Sequence, residues 1–165
     1  MTKSKRQFIK GFTLVEVLIS VLIVGLAIAA LMVANRSSTT ANGEGIDLST
    51  AEFLIEQIRE MTAMLPVIDP QQTAPPYNFG NEESLLANYD DVDDFAGKSF
   101  CPPIDSSRQS ITELAAFTQQ ITITNVSASN FDQTAANHST SFYKVTVKIL
   151  HNSQQISQTS WIRTR

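Results

Sequence analysis

The sequence predicts an α+β fold: a long N-terminal helix packed on a small antiparallel sheet. Three observations predict it. An apolar run fills Phe12 to Ala34, a helical apolar stripe follows between Ala51 and Leu65, and the last third alternates with strand periodicity. The chain therefore divides into residues 1–11, a basic leader; 12–35, a membrane-type helix; 36–65, a polar link and an amphipathic helix; and 66–165, an irregular region and a β head.

The apolar run, FTLVEVLISVLIVGLAIAALMVA, is 23 residues long. As a helix it would reach about 34 Å, enough for a hydrocarbon core of about 30 Å. It exceeds the 7–15 residues of a secretory signal core. Lys3, Lys5, Arg6 and Lys10 precede it and Arg36 follows it, a bias that puts the N-terminus in the cytoplasm and the remainder outside. Without those four leader residues, eight basic residues face sixteen acidic ones, a net charge near −8. That balance argues against nucleic acid as a partner.

Neither a signal peptide nor a plain single-pass anchor explains Glu16. A carboxylate inside a membrane costs at least about 2.5–3.5 kcal/mol on insertion scales and calls for a partner. The neighbours of Glu16 at helical spacing are Phe12, Thr13, Ile19 and Ser20, and none carries a charged side chain. An α-amino group at Phe12 would supply the missing charge. It exists only once the Gly11–Phe12 bond is cut, and between axially offset helices it could meet the Glu16 carboxylate of a neighbour.

The segment KGFTLVEVLI, Lys10 to Ile19, resembles the prepilin peptidase recognition motif of type IV pilins and type II secretion pseudopilins. That pattern is a basic leader ending in Gly, then Phe, then Thr-Leu-[Ile/Val]-Glu. The resemblance implies cleavage after Gly11, N-methylation of Phe12, and an assembly role for Glu16. It also implies a pilin-like fold, prepilin peptidase and other pilin or pseudopilin subunits as partners, and residence in a bacterial inner membrane or a filament drawn from it. The FTLVEVLI start is most similar to minor pilin V and pseudopilin I. The match covers about residues 1–36.

Downstream, residues 35–45 (NRSSTTANGEG) are small, polar and Gly-containing, and suggest a weak point or a flexible link. Ala51, Leu54, Ile55, Ile58, Met61 and Leu65 then share one helix face opposite Glu52, Glu56, Arg59 and Glu60. Asp47 or Ser49 could cap its start, and Pro66 ends it. Residues 66–110 hold all six prolines and little periodicity. Within them Asp90, Asp91, Asp93 and Asp94 place four carboxylates in five residues. Such density suits Ca²⁺, although the spacing is not that of an EF-hand. The competing reading is a solvated turn whose Asp side chains cap backbone amides.

Strands are expected over Gln119–Val126, Ser141–Leu150 and Gln155–Arg163, the last two joined by the tight turn His151–Gln154, with Ser127–Thr140 as a connection. Cys101 is the single cysteine and is expected to be a small buried hydrophobe. His138 and His151 are expected at the surface. With no Gly-rich phosphate loop, HExxH or paired-Cys motif, the sequence reads as a structural assembly subunit and not as an enzyme. The alternative is a membrane-anchored extracytoplasmic binding module with a Ca²⁺ site.

Overall fold

The computed structural model describes residues 11–71, 79–80 and 83–165. The leader charges Lys3, Lys5, Arg6 and Lys10 lie outside the described residues, as do Pro75 and Pro76. The chain separates into two compact units, Met1–Glu44 and Gly45–Arg165.

One helix, α1, runs from Leu14 to Ala63 over 50 residues. Its first part is apolar all round, with Leu14, Val15, Leu18, Val21, Leu26 and Leu31 each more than 60 % exposed. A stretch of this length and apolarity (mean hydropathy 3.0) is suited to crossing a membrane.

The expected weak point at residues 35–45 is helical throughout. Gly43 and Gly45 each lower helix propensity by about 1 kcal/mol relative to Ala, but neither breaks the ladder. The neighbouring hydroxyls turn back onto it: Thr39 and Thr40 donate to the carbonyls of Asn35 and Arg36 at 3.0 and 3.1 Å. No second helix starts near residue 47, so the expected caps do other work. Ser49 donates to the Gly45 carbonyl at 2.9 Å, and Asp47 pairs with His151.

In the second unit the stripe Ala51, Leu54, Ile55, Ile58 and Met61 is buried, as its spacing requires, while Leu65 is half-buried. Thr62 joins it because its hydroxyl satisfies itself on the Ile58 carbonyl at 2.8 Å. This face covers an antiparallel sheet of β1 (Ser99–Phe100), β2 (Phe117–Ser127), β4 (Phe142–His151) and β5 (Gln154–Thr164), in that spatial order. A short β3 (Asn130–Thr134) pairs with the end of β2, inside the stretch expected to be a plain connection.

Central strand β4 shows why the pattern was readable. Tyr143, Val145, Val147 and Ile149 are each 0 % exposed, and the residues between them face away from the core. The β4–β5 turn is two residues long, with Asn152 and Ser153 at φ of 50° and 68°. Two positive φ values match a type I′ turn, whose twist suits antiparallel strands.

Two polar residues lie on the apolar face of β2. Gln119 Oε1 accepts the Ile104 N–H at 2.7 Å, and its Nε2 donates to the carbonyls of Leu54 and Ile104, both at 3.0 Å. One amide thus joins the helix, the sheet and the loop between β1 and β2. Asn125 does similar work at the far end of β2, donating to the carbonyls of Thr140 and Phe142 at 3.0 and 2.8 Å.

The last turn of α1 carries no basic residue of its own. Arg163 on β5 supplies one, donating to the carbonyls of Thr62, Ala63 and Leu65 at 2.7, 3.1 and 2.8 Å. It satisfies orphan carbonyls at the negative end of the helix dipole.

The remaining expectations fare unevenly. Cys101 is exposed rather than buried: it follows directly on the edge strand β1, in the bend before the buried Pro103 and Ile104. The histidines are half-buried and partnered rather than solvated. His151 Nδ1 lies 2.9 Å from Asp47 Oδ2, and its ring stacks on Phe117 at 4.4 Å. His138 Nδ1 lies 2.9 Å from the Tyr143 hydroxyl.

Candidate functional site

Two places carry chemistry: the start of α1 and the acidic segment before β1. The acidic segment is not a solvated turn. Asp91, Asp93 and Asp94 are at most 1 % exposed, beside the fully buried Val92 and Phe95. The two apolar side chains pull the segment into the core, and a 3-10 turn at Asp93–Phe95 lets neighbours in sequence face both inward and back along the chain.

Part of the turn reading holds at atomic level. Asp94 Oδ2 accepts the N–H groups of Asp90 and Asp91 at 3.0 and 3.4 Å, and Asp91 Oδ1 accepts the Asp94 N–H at 3.0 Å. Asp93 Oδ2 accepts the Gly80 N–H at 3.1 Å. The other oxygens do not fit that reading. Among the described residues, Asp90 Oδ1, Asp93 Oδ1 and Asp94 Oδ1 are buried with no hydrogen-bond partner.

The structure also regroups the carboxylates. Glu83, which sequence spacing did not single out, comes together with Asp90 and Asp94, one oxygen of each lying within 4.8 Å of the others. Asp91 and Asp93 fall outside this trio, so the four-Asp ligand set expected from the sequence does not gather as one group. Contact with the Asp94 carboxylate, then burial, pushes Glu83 up to about 7. Burial, then contact with Asp93, pushes Asp91 up to about 9. Burial also raises Asp93, against the pull of Asp91, the Gly80 N–H and His138. Carboxylates crowded this way in a poorly solvated place require protons or a cation between them.

At the other end, Gly11, Phe12 and Thr13 precede the helix and are exposed. Phe12 is 79 % exposed. A Cβ added at Gly11 would meet nothing within 4 Å, so the local fold does not itself demand glycine there. Thr13 is the cap of α1. Its Oγ1 accepts the Glu16 N–H at 3.3 Å, and Glu16 Oε2 accepts the Thr13 N–H at 3.5 Å. Thr13-Leu14-Val15-Glu16 is thus a capping box. Considering side chains alone left Glu16 without a partner inside its own helix. The structure corrects this: its carboxylate faces the amide end of the helix, where the dipole favours negative charge. Among the described residues it gains no counter-charge there.

Residues 6–32 match the family model described as the prokaryotic N-terminal methylation motif. The chain carries a prokaryotic N-terminal methylation motif. Such a motif is typical of type IV pilins and pseudopilins, and one long helix with an antiparallel sheet is a pilin-like α+β arrangement. No curated protein and no solved structure matches the chain. Within the methylation motif lie Gly11, Phe12, the Thr13–Glu16 capping box and the apolar part of α1 as far as Met32. The acidic segment lies wholly outside it.

Proposed function

We propose that this chain is a minor pilin or pseudopilin, a structural subunit of a type IV pilus or type II secretion-type filament. Prepilin peptidase cuts it between Gly11 and Phe12, and Phe12 is then N-methylated. The motif at residues 6–32 carries this reading. It is supported by an exposed scissile bond just ahead of the helix and by a glycine that packing does not explain.

Before cleavage, four basic leader residues hold the helix end at the cytoplasmic face of the inner membrane, with the head outside. Cleavage removes that tie and creates the Phe12 amine. The amine of one subunit then meets Glu16 of the next, while other pilin-type subunits pack against the apolar side chains of α1. The partners are therefore the peptidase and sister subunits, and the role is structural rather than enzymatic.

Mass spectrometry of the chain purified from hosts with and without the peptidase tests processing. The expected mature N-terminus is a methylated Phe12, present only with the enzyme. A mature N-terminus elsewhere, or one independent of the enzyme, overturns the proposal.

A further inference from the structure

We infer that Glu83, Asp90 and Asp94 form a binding site for a hard divalent cation of the calcium type. The trio comes from one contiguous stretch, residues 83–94, gathered by its two 3-10 turns and not by the spacing of an EF-hand loop. Glu83 comes from the segment before the Leu86–Asn88 turn, and Asp90 and Asp94 flank the buried Val92. One carboxylate oxygen from each lies within 4.8 Å of the others. Two oxygens of one Ca²⁺ shell, at 2.3–2.6 Å from the ion, can be up to about 4.6–5.2 Å apart, so a spacing within 4.8 Å is compatible with a shared ion. Magnesium, which keeps several of its waters and is usually held by one or two carboxylates, suits a set of three carboxylates less well.

Crowded acids alone would not establish a site. Asp94 provides the independent observation. It is 0 % exposed, and its Oδ2 is fixed by the amides of Asp90 and Asp91. Its Oδ1 is buried and has no hydrogen-bond partner among the described residues, and Asp90 Oδ1 shares that condition. A buried carboxylate oxygen left so is costly, and a cation shared with Glu83 and Asp90 relieves it. The ligand set contains oxygen only, which favours calcium over the softer metals that seek imidazole or thiolate. Three carboxylates leave room in a shell of six to eight for carbonyl oxygens and water.

Asp91 and Asp93 support the site without joining it. Asp91 holds the turn through the Asp94 N–H, and Asp93 holds Gly80. The bound ion would tie the Glu83 segment to the turn that carries Val92 and Phe95 into the core. This site is independent of the pilin-type reading, and its failure would leave that reading intact.

The test uses the full chain in detergent micelles, treated with EDTA and dialysed free of it. Calorimetric titration with CaCl₂ and thermal unfolding are the readouts. One Ca²⁺ per chain and a raised Tm are expected. Glu83→Gln and Asp90→Asn should each weaken binding at least tenfold, and Glu113→Gln, an exposed carboxylate elsewhere, should bind as the parent does. Glu83 lies outside every helix and strand, so its variant should fold. Two results overturn the inference: no heat and no thermal shift in the parent, or parent-like binding by both trio variants. An equal response to MgCl₂ overturns the calcium assignment.

Discussion

Replacing Glu16 with alanine is expected to lower recovery of the chain in assembled filaments at least tenfold while the head melts as before. Two roles converge on this carboxylate, and they separate experimentally. As the third residue of the helix it completes the capping box with Thr13. Losing a cap interaction costs about 1 kcal/mol, a local effect in a helix of 50 residues. As a charge within the membrane-type segment it is costly unless it meets a positive partner. Glu16→Gln distinguishes the two, because glutamine serves a capping box as well as glutamate does but carries no charge. If charge pairing governs assembly, Gln fails as Ala does. If Gln assembles like the parent, capping is the whole role of Glu16 and the Phe12–Glu16 pair is wrong.

A large effect on stability is expected at Gln119, a polar position comparable in weight to the aliphatic core. Gln119→Leu keeps the volume roughly constant but removes three hydrogen bonds. The Leu54 carbonyl retains its place in the helix ladder. The Ile104 N–H and carbonyl lose the amide that satisfies them, in a buried place. Each buried orphan costs about 1–3 kcal/mol, so a loss of about 3 kcal/mol is expected from urea unfolding of the detergent-solubilised chain. Thr122→Ala, on the exposed face of the same strand, should stay within about 0.5 kcal/mol. A Gln119→Leu loss below about 1 kcal/mol would show that the amide does not hold the helix, sheet and loop together.

Where side chains repeat with the period of an element, the sequence was readable. Val145, Val147 and Ile149 announce β4, and Ala51, Leu54, Ile55 and Ile58 announce the buried face of α1. The motif KGFTLVEVLI was readable too, since its meaning lies in contiguous order. What escaped depends on groups brought together by irregular turns or across long stretches of chain. Glu83 joins Asp90 and Asp94 across a segment with no period. Arg163 reaches the end of α1 from a strand about 100 residues later. Residues 35–45 misled for another reason. Gly, Ser and Thr weaken a helix only by small increments, and here the Thr39 and Thr40 hydroxyls are satisfied on helix carbonyls without breaking the ladder. The cluster at Asp90–Asp94 pointed to the place where carboxylates gather but not to their grouping, because Asp91 bonds the Asp94 N–H and Asp93 bonds the Gly80 N–H.

Processing is a precondition of the proposed assembly, since the amine proposed to answer Glu16 does not exist before the Gly11–Phe12 bond is cut. N-terminal peptide masses from the filament fraction, compared with those from the membrane fraction of the same cells, test it most directly. Filaments should yield only peptides that begin at methylated Phe12, while membranes contain both these and peptides that retain Lys10-Gly11. Leader-bearing peptides in filaments, at the proportion found in membranes, would contradict it.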